Sequence, residues 1–270
     1  YDAGDVVCTR LVSSFYNGIC TGLYNLIYLF DPSHIFIGGG ISLQPDSSGG
    51  GGGPAYVTTG LTVHLDAADP ASYPGTGTLW TDLTGHGYNA TLNTGVTYSS
   101  ANSAMLFNGA TTATATIVSS TLASSLTNNF TVEAWYQSNN NHPEIIANGS
   151  GGSGFVFGYF SINPTNWKVT KYGVVDIYIG SIPQNTTWHQ VVVTYSSTTG
   201  TRVYIDGSLS GSNASVANLS VGSSTFTIGK GESTSYMHNG NIGIFRLYNS
   251  VLSATDVTQN FNANRARYGL

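Results

Sequence analysis

Charged residues are scarce in this chain of 270 residues: they make up 8% of it, against roughly 25% in an ordinary soluble domain. There are 8 lysines and arginines and 13 acidic residues, which gives a net charge of −5. Proteins that bind nucleic acid contact the phosphates mainly through lysine and arginine, so the composition argues against that class of partner. Glycine, serine, threonine and asparagine supply the polar surface instead, which is typical of β-strands joined by many turns.

Cysteine and long apolar runs are also scarce. The two cysteines, Cys8 and Cys20, both lie near the N-terminus, so no disulfide framework is predicted for the remainder of the chain. The apolar stretch from Gly22 to Ile41 is interrupted by Asp31-Pro32 and by the glycines at 38–40. Because a membrane-spanning helix needs about 20 consecutive apolar residues, no membrane span is predicted.

Glutamate occurs three times, at Glu133, Glu144 and Glu232. Glycoside hydrolases need two carboxylates placed across the scissile bond. No strand carries acidic residues at alternating positions, since Glu133 shares its predicted face with Thr131 and Trp135. The segment GGSGF at 151–155 does not match the G-x-S-x-G turn of a serine nucleophile. The sequence therefore predicts a protein that is not an enzyme.

Three parts follow one another along the chain. Residues 1–46 have apolar side chains at helical spacing, then Asp31-Pro32 and the short apolar stretch HIFIGGGIS, which predicts a helix followed by a strand. Residues 47–54, SSGGGGGP, have the composition of a flexible linker. From residue 55 to 270, short β-branched and aromatic runs alternate with turn residues. We expect the first part to serve as an assembly or anchoring element.

The third part is predicted to be mainly β, with about ten to fourteen strands in two sheets. In FTVEAWYQ (130–137), Phe130 and alternate residues form one face, and Thr131 and alternate residues form the other. Asp206-Gly207 predicts a hairpin turn, and Ser253 is placed to cap one short helix. The predicted strands are LTVHL (61–65), SAMLF (103–107), ATATIV (113–118), FTVEAWYQ (130–137), FVFGYF (155–160), VVDIYIG (174–180), WHQVVVTYS (188–196), TRVYIDG (201–207), STFTIGK (224–230) and NIGIFRLYN (241–249).

The order of motifs in this part resembles the laminin G-like, or concanavalin A-like, lectin domains. That resemblance implies a two-sheet antiparallel jelly-roll sandwich. The tail also resembles copies of the domain in virion proteins of phages and large DNA viruses. The matching segments are LTVHLDAADPASYPGTGTLWTDLTGHGYNATL, LFNGA, FTVEAWYQ, TTWHQVVVTYSSTTGTRVYIDGSLSG and the closing NGNIGIFRLYNSVLSATDVTQNFNANRARYGL.

The N-terminal part resembles a different family. AGDVVCTRLVSSFYNGICTGLYNLIYLFDPSHIFIGGGIS looks like the C-terminal helix and strand of the ROK sugar kinases. The match covers about forty residues. It does not include that family's phosphate-binding lobe, catalytic aspartate or zinc-binding cysteines, so it does not imply a kinase site in this chain.

Sugar recognition needs aromatic faces close to amide and charged groups. The best candidate for an exposed ring is Trp167, in NPTNWKVTKYG beside Asn166, Lys168 and Tyr172. Trp80 is a further candidate. The favoured interpretation of Trp167 is nevertheless an edge-strand tryptophan that covers the sandwich, while Trp135 and Trp188 are predicted to be core residues.

No cofactor is firmly indicated, and the one considered is Ca²⁺, which takes six to eight oxygen ligands. The candidate ligands are Asp66, Asp69, Asp82 and Asn89. Two acids that calcium-binding members of the laminin G-like family carry are absent here, in NGATTATATI and NIGIF. The alternative for Asp82 is an Asx turn bonded to the backbone of TGHG.

We expect a virion surface protein, either a capsid decoration or a fibre, whose lectin-like domain attaches to glycans or a host surface. Residues 1–46 would contact other virion subunits, as part of a homo-oligomer. The first alternative is a purely structural virion or filament subunit with an inert sandwich. The second is an extracellular bacterial adhesin.

Overall fold

The computed structural model describes residues 55–150, 153–159, 165–171, 175–215, 221–233 and 235–270. The predicted helix–strand element of 1–46, the linker of 47–54 and the candidate Tyr172 lie outside the described residues. No helix within these ranges is long and apolar enough to cross a membrane.

The described part of the chain is built mainly of strands, and each of the ten predicted strands overlaps an observed one. The strands are β1 (Leu61–Asp66), β2 (Leu79–Trp80), β3 (Ala90–Leu92), β4 (Val96–Ser99), β5 (Ala104–Asn108), β6 (Ala115–Val118), β7 (Asn129–Ser138), β8 (Glu144–Ser150), β9 (Ser153–Gly158), β10 (Asn166–Lys171), β11 (Val175–Ser181), β12 (Trp188–Ser196), β13 (Gly200–Ile205), β14 (Ser208–Asn213), β15 (Thr225–Ile228) and β16 (Asn239–Tyr248). The helices are α1 (Ser120–Ser125) and α2 (Ala254–Asn264), and a 3-10 helix follows at Arg265–Tyr268.

The strands form two antiparallel sheets, so the predicted fold class is confirmed. Sheet I has the order β14-β13-β12-β7-β16-β5-β4, with β1 paired to the second half of β16. Sheet II has the order β11-β10-β9-β8-β15-β6-β3-β2. Neighbours in sheet II are often far apart in sequence, as β8 and β15 are, so the sheet brings distant loops together.

The inner faces of the two sheets share one apolar core. In β7, Phe130, Val132, Ala134 and Tyr136 all belong to it, as the alternation of FTVEAWYQ predicts. β10 contributes from sheet II through alternate residues of the strand. Burying such side chains is the main favourable term in folding, at roughly 25 cal/mol per Å² of apolar surface.

The outer face of sheet I is covered by α2 and the 3-10 helix. Trp135 stacks on Phe261 and Tyr268, with ring centroids 5.7 and 4.5 Å apart. Beneath the helix, Arg246 Nη1 donates to Glu133 Oε1 at 3.1 Å, and both side chains are completely buried. The face of β7 that carries Thr131, Glu133 and Trp135 is therefore a second, partly polar interior.

Two local predictions are confirmed. Asp206 and Gly207 have φ angles of 49° and 76°, and they connect β13 to β14 through the predicted hairpin turn. Positive φ at both turn positions suits Asp-Gly and matches the twist of the strands. Ser253 caps α2, and a capping box with Asp256 satisfies backbone N–H groups at the start of the helix.

Candidate functional site

The four predicted calcium ligands are already occupied by other hydrogen bonds. Asp82 accepts from the backbone N–H groups of His64 and Thr84 through Oδ1 and from that of Tyr88 through Oδ2. Asn89 Oδ1 accepts from the backbone N–H of Asp82 at 2.8 Å. The alternative for Asp82, an Asx turn, is thus confirmed.

The two other aspartates are engaged in a similar way. Both carboxylate oxygens of Asp66 accept from Arg267, at 2.8 and 2.9 Å. Asp69 Oδ1 accepts from the backbone N–H of Ala71. In the described ranges, no group of three or more histidine, cysteine or acidic side chains could hold a metal ion. The hydrogen bonds give all four residues structural roles, and a calcium site at Asp66, Asp69, Asp82 and Asn89 stays a prediction.

The candidate tryptophans are buried, and for Trp167 this agrees with the favoured interpretation of a ring that packs against the sandwich rather than with an exposed ring. Trp167 and Trp80 are both 0% exposed and belong to the core between the sheets. Trp167 lies on β10, and its ring stacks on Phe157 with a centroid distance of 4.9 Å. A ring buried on both faces cannot stack on a sugar, so neither tryptophan can bind carbohydrate in this state.

The neighbours of Trp167 on β10 have structural contacts as well. Lys168 points away from the core, yet it is 1% exposed. Its ammonium donates to Glu232 and lies 3.2 Å from Asp176. Asn166 donates to the carbonyl of Gly180 at 2.5 Å. The described contacts of Asn166 and Lys168 are therefore structural, and Lys168 lies close to a cavity.

This cavity has a volume of about 180 Å³ and lies at one end of sheet II. It is formed where the β7–β8 turn, the end of β9 and the loop between β15 and β16 meet. A larger depression of about 570 Å³ lies on the surface of α2, but its lining contains no charged side chain. The smaller cavity is lined by Asn140, His142, Glu144, Tyr159, Ser235, Tyr236 and Met237.

Glu144 is the deepest acidic group of the cavity. Glu144 is 1% exposed, and among the residues that the structure describes neither of its carboxyl oxygens has a hydrogen-bond partner. The nearby backbone N–H of Tyr159 is directed to the carbonyl of Pro143, at 2.9 Å. Buried polar atoms nearly always have partners. A carboxyl group without one is therefore a marker of function or of a missing ligand.

Two glycines make room for this carboxyl group. A Cβ atom added to Gly158 would lie 1.9 Å from Glu144 Oε2, and one added to Gly231 would lie 2.4 Å from the same oxygen. The backbones of β9 and of the loop after β15 thus enclose the group from two sides. Any larger residue at either position would displace it.

Burial raises the pKa of Glu144 well above 4.5, and the negative charge of Glu232 raises it further. Lys168 and the backbone N–H of Tyr159 act in the opposite direction but are outweighed. A buried carboxyl group favours its neutral form because the charged form loses its hydration. Glu144 therefore holds its proton at higher pH than an ordinary glutamate.

Aromatic rings form the outer part of the cavity. His142 stacks on Tyr159 at a centroid distance of 3.8 Å, and Tyr159 lies 6.3 Å from Tyr236. Burial lowers the pKa of His142 and raises that of Tyr159, so both rings are uncharged near neutral pH. The cavity combines these apolar faces with one carboxyl group at its base.

His238 supports Glu144 from the core side. Its Nδ1 accepts from the backbone N–H of Glu144 at 3.4 Å, and its Nε2 lies 3.3 Å from the carbonyl of Asn241. Burial lowers the pKa of His238 to about 4, so the neutral ring is the form that accepts from Glu144. The backbone at the start of β8 is positioned by this contact.

A second histidine cluster lies at the edge of sheet I. His189 Nδ1 lies 2.7 Å from Asp206 Oδ2, and its Nε2 lies 2.8 Å from Asn185 Oδ1. Both ring nitrogens are thus partnered by turn residues. This cluster fixes the hairpin turn after β13 rather than presenting a reactive group.

Sequence reasoning treated Glu144 only as one of three glutamates and did not identify the cavity. Its residues come from segments more than 90 positions apart, and they meet because β8 pairs with both β9 and β15. One local signal was available. In HPEII, a glutamate directly precedes a buried apolar pair, which is an unusual place for a charge.

Comparison with known proteins places the sandwich in a family. A family model described as the Concanavalin A-like lectin/glucanases superfamily matches residues 108–258. Trypanosoma rangeli sialidase in complex with the inhibitor DANA is similar over 79% of this chain and 34% of its own, with a TM-score of 0.57 and 17% identity. The binding domain of botulinum neurotoxin DC in complex with SialylT is similar over 75% of this chain and 51% of its own, with a TM-score of 0.59 and 20% identity.

The N-terminal segment matches a different protein, as its sequence predicts. It is 73% identical over 45 residues to a beta-glucoside kinase of Listeria monocytogenes, in the C-terminal region of that protein. The match covers 17% of this chain and 15% of the kinase. The family model, by contrast, matches residues 108–258, which is more than half of the 270 residues. The protein therefore belongs to the concanavalin A-like lectin/glucanase superfamily.

Proposed function

We propose that the sandwich of residues 55–270 is a carbohydrate-binding module and that the cavity at Glu144 is its sugar site. The observation that carries this proposal is a buried carboxyl group without a partner, at the base of a cavity with aromatic walls. Sugar hydroxyls can supply the missing hydrogen bonds while the pyranose ring packs on the tyrosines. The volume, about 180 Å³, is small for a ligand site and suits one monosaccharide unit.

The similar proteins support binding of sugars in general. One is a sialidase with a bound inhibitor, and another is a toxin binding domain in complex with SialylT. At 20% identity or less they show a shared fold alone, so the ligand of this chain is argued from its own residues. We propose binding without catalysis, because Glu133 is enclosed beneath α2 and Glu232 is paired with Lys168.

We also propose that the module is displayed on a virion surface, as a capsid decoration or fibre protein, or otherwise outside a cell. The support is the resemblance of the tail, residues 252–270, to virion copies of the domain. In this proposal, residues 1–46 contact other virion subunits in a homo-oligomer. A structural subunit with an inert sandwich and a bacterial adhesin remain the alternatives.

A glycan array probed with the full chain, with and without EDTA, tests the binding proposal. We expect selective binding in both conditions, since the cavity needs no metal ion. Blank arrays would contradict a sugar-binding role and favour the inert subunit. Release of reducing sugar from any bound glycan would contradict the proposal that the protein is not an enzyme.

A matched pair of variants locates the site. Glu144→Gln keeps the shape of the side chain but removes its acidity, and we expect it to lose binding by roughly 10- to 100-fold. Gln259→Ala alters the depression on α2 and should leave binding unchanged. If Gln259→Ala lost binding and Glu144→Gln kept it, the sugar site would lie on α2 instead.

A further inference from the structure

Acidic side chains lie around the cavity at Glu144. Glu144 and Glu232 interact electrostatically, and Asp176 lies on the same ion-pair cluster. The positive charge in this cluster belongs to Lys168, which is held by Glu232 and Asp176. Three carboxyl groups thus face one ammonium group, and the residues that line the cavity include no lysine or arginine.

We propose that the sugar bound at Glu144 carries a free amino group, so that the site recognises a hexosamine whose ammonium group pairs with the Glu144 carboxylate. This inference rests on the proposed function and narrows it to one ligand class. An ammonium group is the partner that an enclosed carboxyl group without hydrogen bonds accepts most strongly.

The aromatic walls favour the same ligand. The faces of tyrosine rings attract cations, and Tyr159 and Tyr236 line the same cavity as Glu144. His142 is uncharged near neutral pH because burial lowers its pKa, so it does not repel an ammonium group. A carboxyl group at the base and neutral rings above it form a cage for a cation.

The same charges disfavour acidic sugars. The carboxylate of a sialic acid bound at Glu144 would approach the negative charge of Glu232, and like charges at short range repel each other. The nearest cation, Lys168, already has two carboxylate partners. The ligand class that the site favours therefore differs from that of the sialic-acid inhibitor complex with the same fold.

The dependence of affinity on pH provides a second test of the proposed amine recognition. The raised pKa keeps Glu144 neutral over a wider range of pH in the free protein. Glu144 must therefore release its proton before it can pair with an ammonium group. Affinity for an aminosugar should rise with pH until the sugar amine itself loses its proton. A ligand bound through hydroxyls alone would not gain affinity as Glu144 ionises.

Isothermal titration of the full chain tests this. The probes are a glucosamine trimer, its fully N-acetylated form, cellotriose and sialyllactose, each measured across a pH series. We expect the free amine to bind at least about 10-fold more tightly than the N-acetylated trimer. Glu144→Gln should remove that difference, whereas Glu232→Gln, which does not remove the pairing group, should keep most of it.

The outcomes separate the two proposals. If no sugar binds, both fail. If the neutral or sialylated probes bind as tightly as the amine, the sugar site stands and this inference is overturned. N-acetylation changes the ligand and not the protein, so that comparison stays decisive even if a variant does not fold.

Discussion

At the scale of single residues, Glu144 sets part of the pH dependence of the free protein. Its pKa is raised well above 4.5, so the folded protein keeps a proton that the unfolded chain releases. This contribution to stability is complete at a pH below the pKa that Glu144 has in the unfolded chain. It is lost as the pH rises through the pKa that Glu144 has in the folded protein. The loss is at most ~1.4 kcal/mol per pH unit. We predict that Glu144→Gln removes this part of the dependence of the free energy of unfolding on pH.

Urea unfolding followed by tryptophan fluorescence measures this effect. All four tryptophans lie between residues 80 and 188, so the signal reports on the sandwich within the full chain. As the pH rises above 4.5, the free energy of unfolding of the parent should decline relative to that of Glu144→Gln. Parallel profiles would show that Glu144 titrates as an ordinary glutamate.

Gly158 tests the enclosure of the same carboxyl group. A Cβ atom there would lie 1.9 Å from Glu144 Oε2 but 3.3 Å from the Glu144 Cα atom. We predict that Gly158→Ala costs about 1–3 kcal/mol in the parent. The cost should be clearly smaller when Glu144→Ala has removed the carboxyl group, so that a double-mutant cycle gives a coupling free energy of ~1 kcal/mol or more.

Additive effects in that cycle would contradict the enclosure. The Glu144→Ala single variant is the reference for the second arm, and its own unfolding is followed under the same conditions. Because the two residues pair directly in β8 and β9, the two substitutions act at one point of sheet II. A difference between the cost of Gly158→Ala in the parent and its cost in Glu144→Ala therefore measures this contact.

Residues also show where sequence reasoning reached its limit. The carboxylate of Asp82 could be assigned to a turn because its partners lie within a few residues. For Trp167 the favoured interpretation of a covering ring agrees with its burial, but the burial of its neighbour Lys168 was not predictable. That lysine is buried because Glu232, 64 positions away, accepts from its ammonium group.

At the scale of elements, α2 depends on a buried polar contact with sheet I. Arg246 Nη1 bonds Glu133 Oε1, and Asn260 of α2 donates to Glu133 Oε2 at 2.7 Å. Removing one partner of a buried ion pair leaves the other charge without compensation. We predict that Arg246→Ala lowers the free energy of unfolding by about 3–5 kcal/mol.

The control for this prediction replaces both charges. In Arg246→Met with Glu133→Leu, no charge is left unpaired, so a good part of the lost stability should return. Both proteins are compared by urea unfolding, and the emission of Trp135, which packs under Phe261, reports on the helix. A loss below about 1 kcal/mol in Arg246→Ala would contradict the structural role of the pair.

The elements were largely predictable from the sequence, but the surface that each covers was not. Ser253 marked the start of α2, and the alternation in β7 marked its core face. The opposite face, with Thr131 and Glu133, has the polar pattern of a solvent-exposed surface. It is buried because α2 returns to it from more than 100 residues further along the chain.

At the scale of the whole molecule, two buried histidines make the fold sensitive to acid. Burial lowers the pKa of His238 from 6.5 to about 4, and that of His64 is lowered as well. The unfolded chain binds these protons first, so stability is lost as the pH falls from 6.5 toward 4. For His238 the total is about 3 kcal/mol.

We predict that His238→Gln flattens this acid limb, because glutamine does not titrate. The substitution also weakens the bonds to Glu144 and Asn241, so stability near neutral pH should fall. Its dependence on pH between about 4 and about 6.5 should decrease all the same. An unchanged slope would mean that other groups cause the acid sensitivity.

The overall architecture was predictable because it depends on many short, regular signals. Ten strand segments, a hairpin turn and a capped helix lie in an order that matches a known family, and each signal is local. The cavity depends instead on which strands become neighbours in sheet II. β8 and β15 lie about 75 residues apart and meet through pairs such as Phe226 with Asn148, which no local pattern specifies.

The central claim is that this sandwich binds sugar through the carboxyl group of Glu144. The most direct test is titration calorimetry of the full chain with the best ligand of a glycan array, comparing the parent with Glu144→Gln. Binding by the parent and a roughly 10- to 100-fold weaker interaction in the variant is the result we predict. Equal affinity in two folded proteins would contradict it and remove the cavity from the account of function.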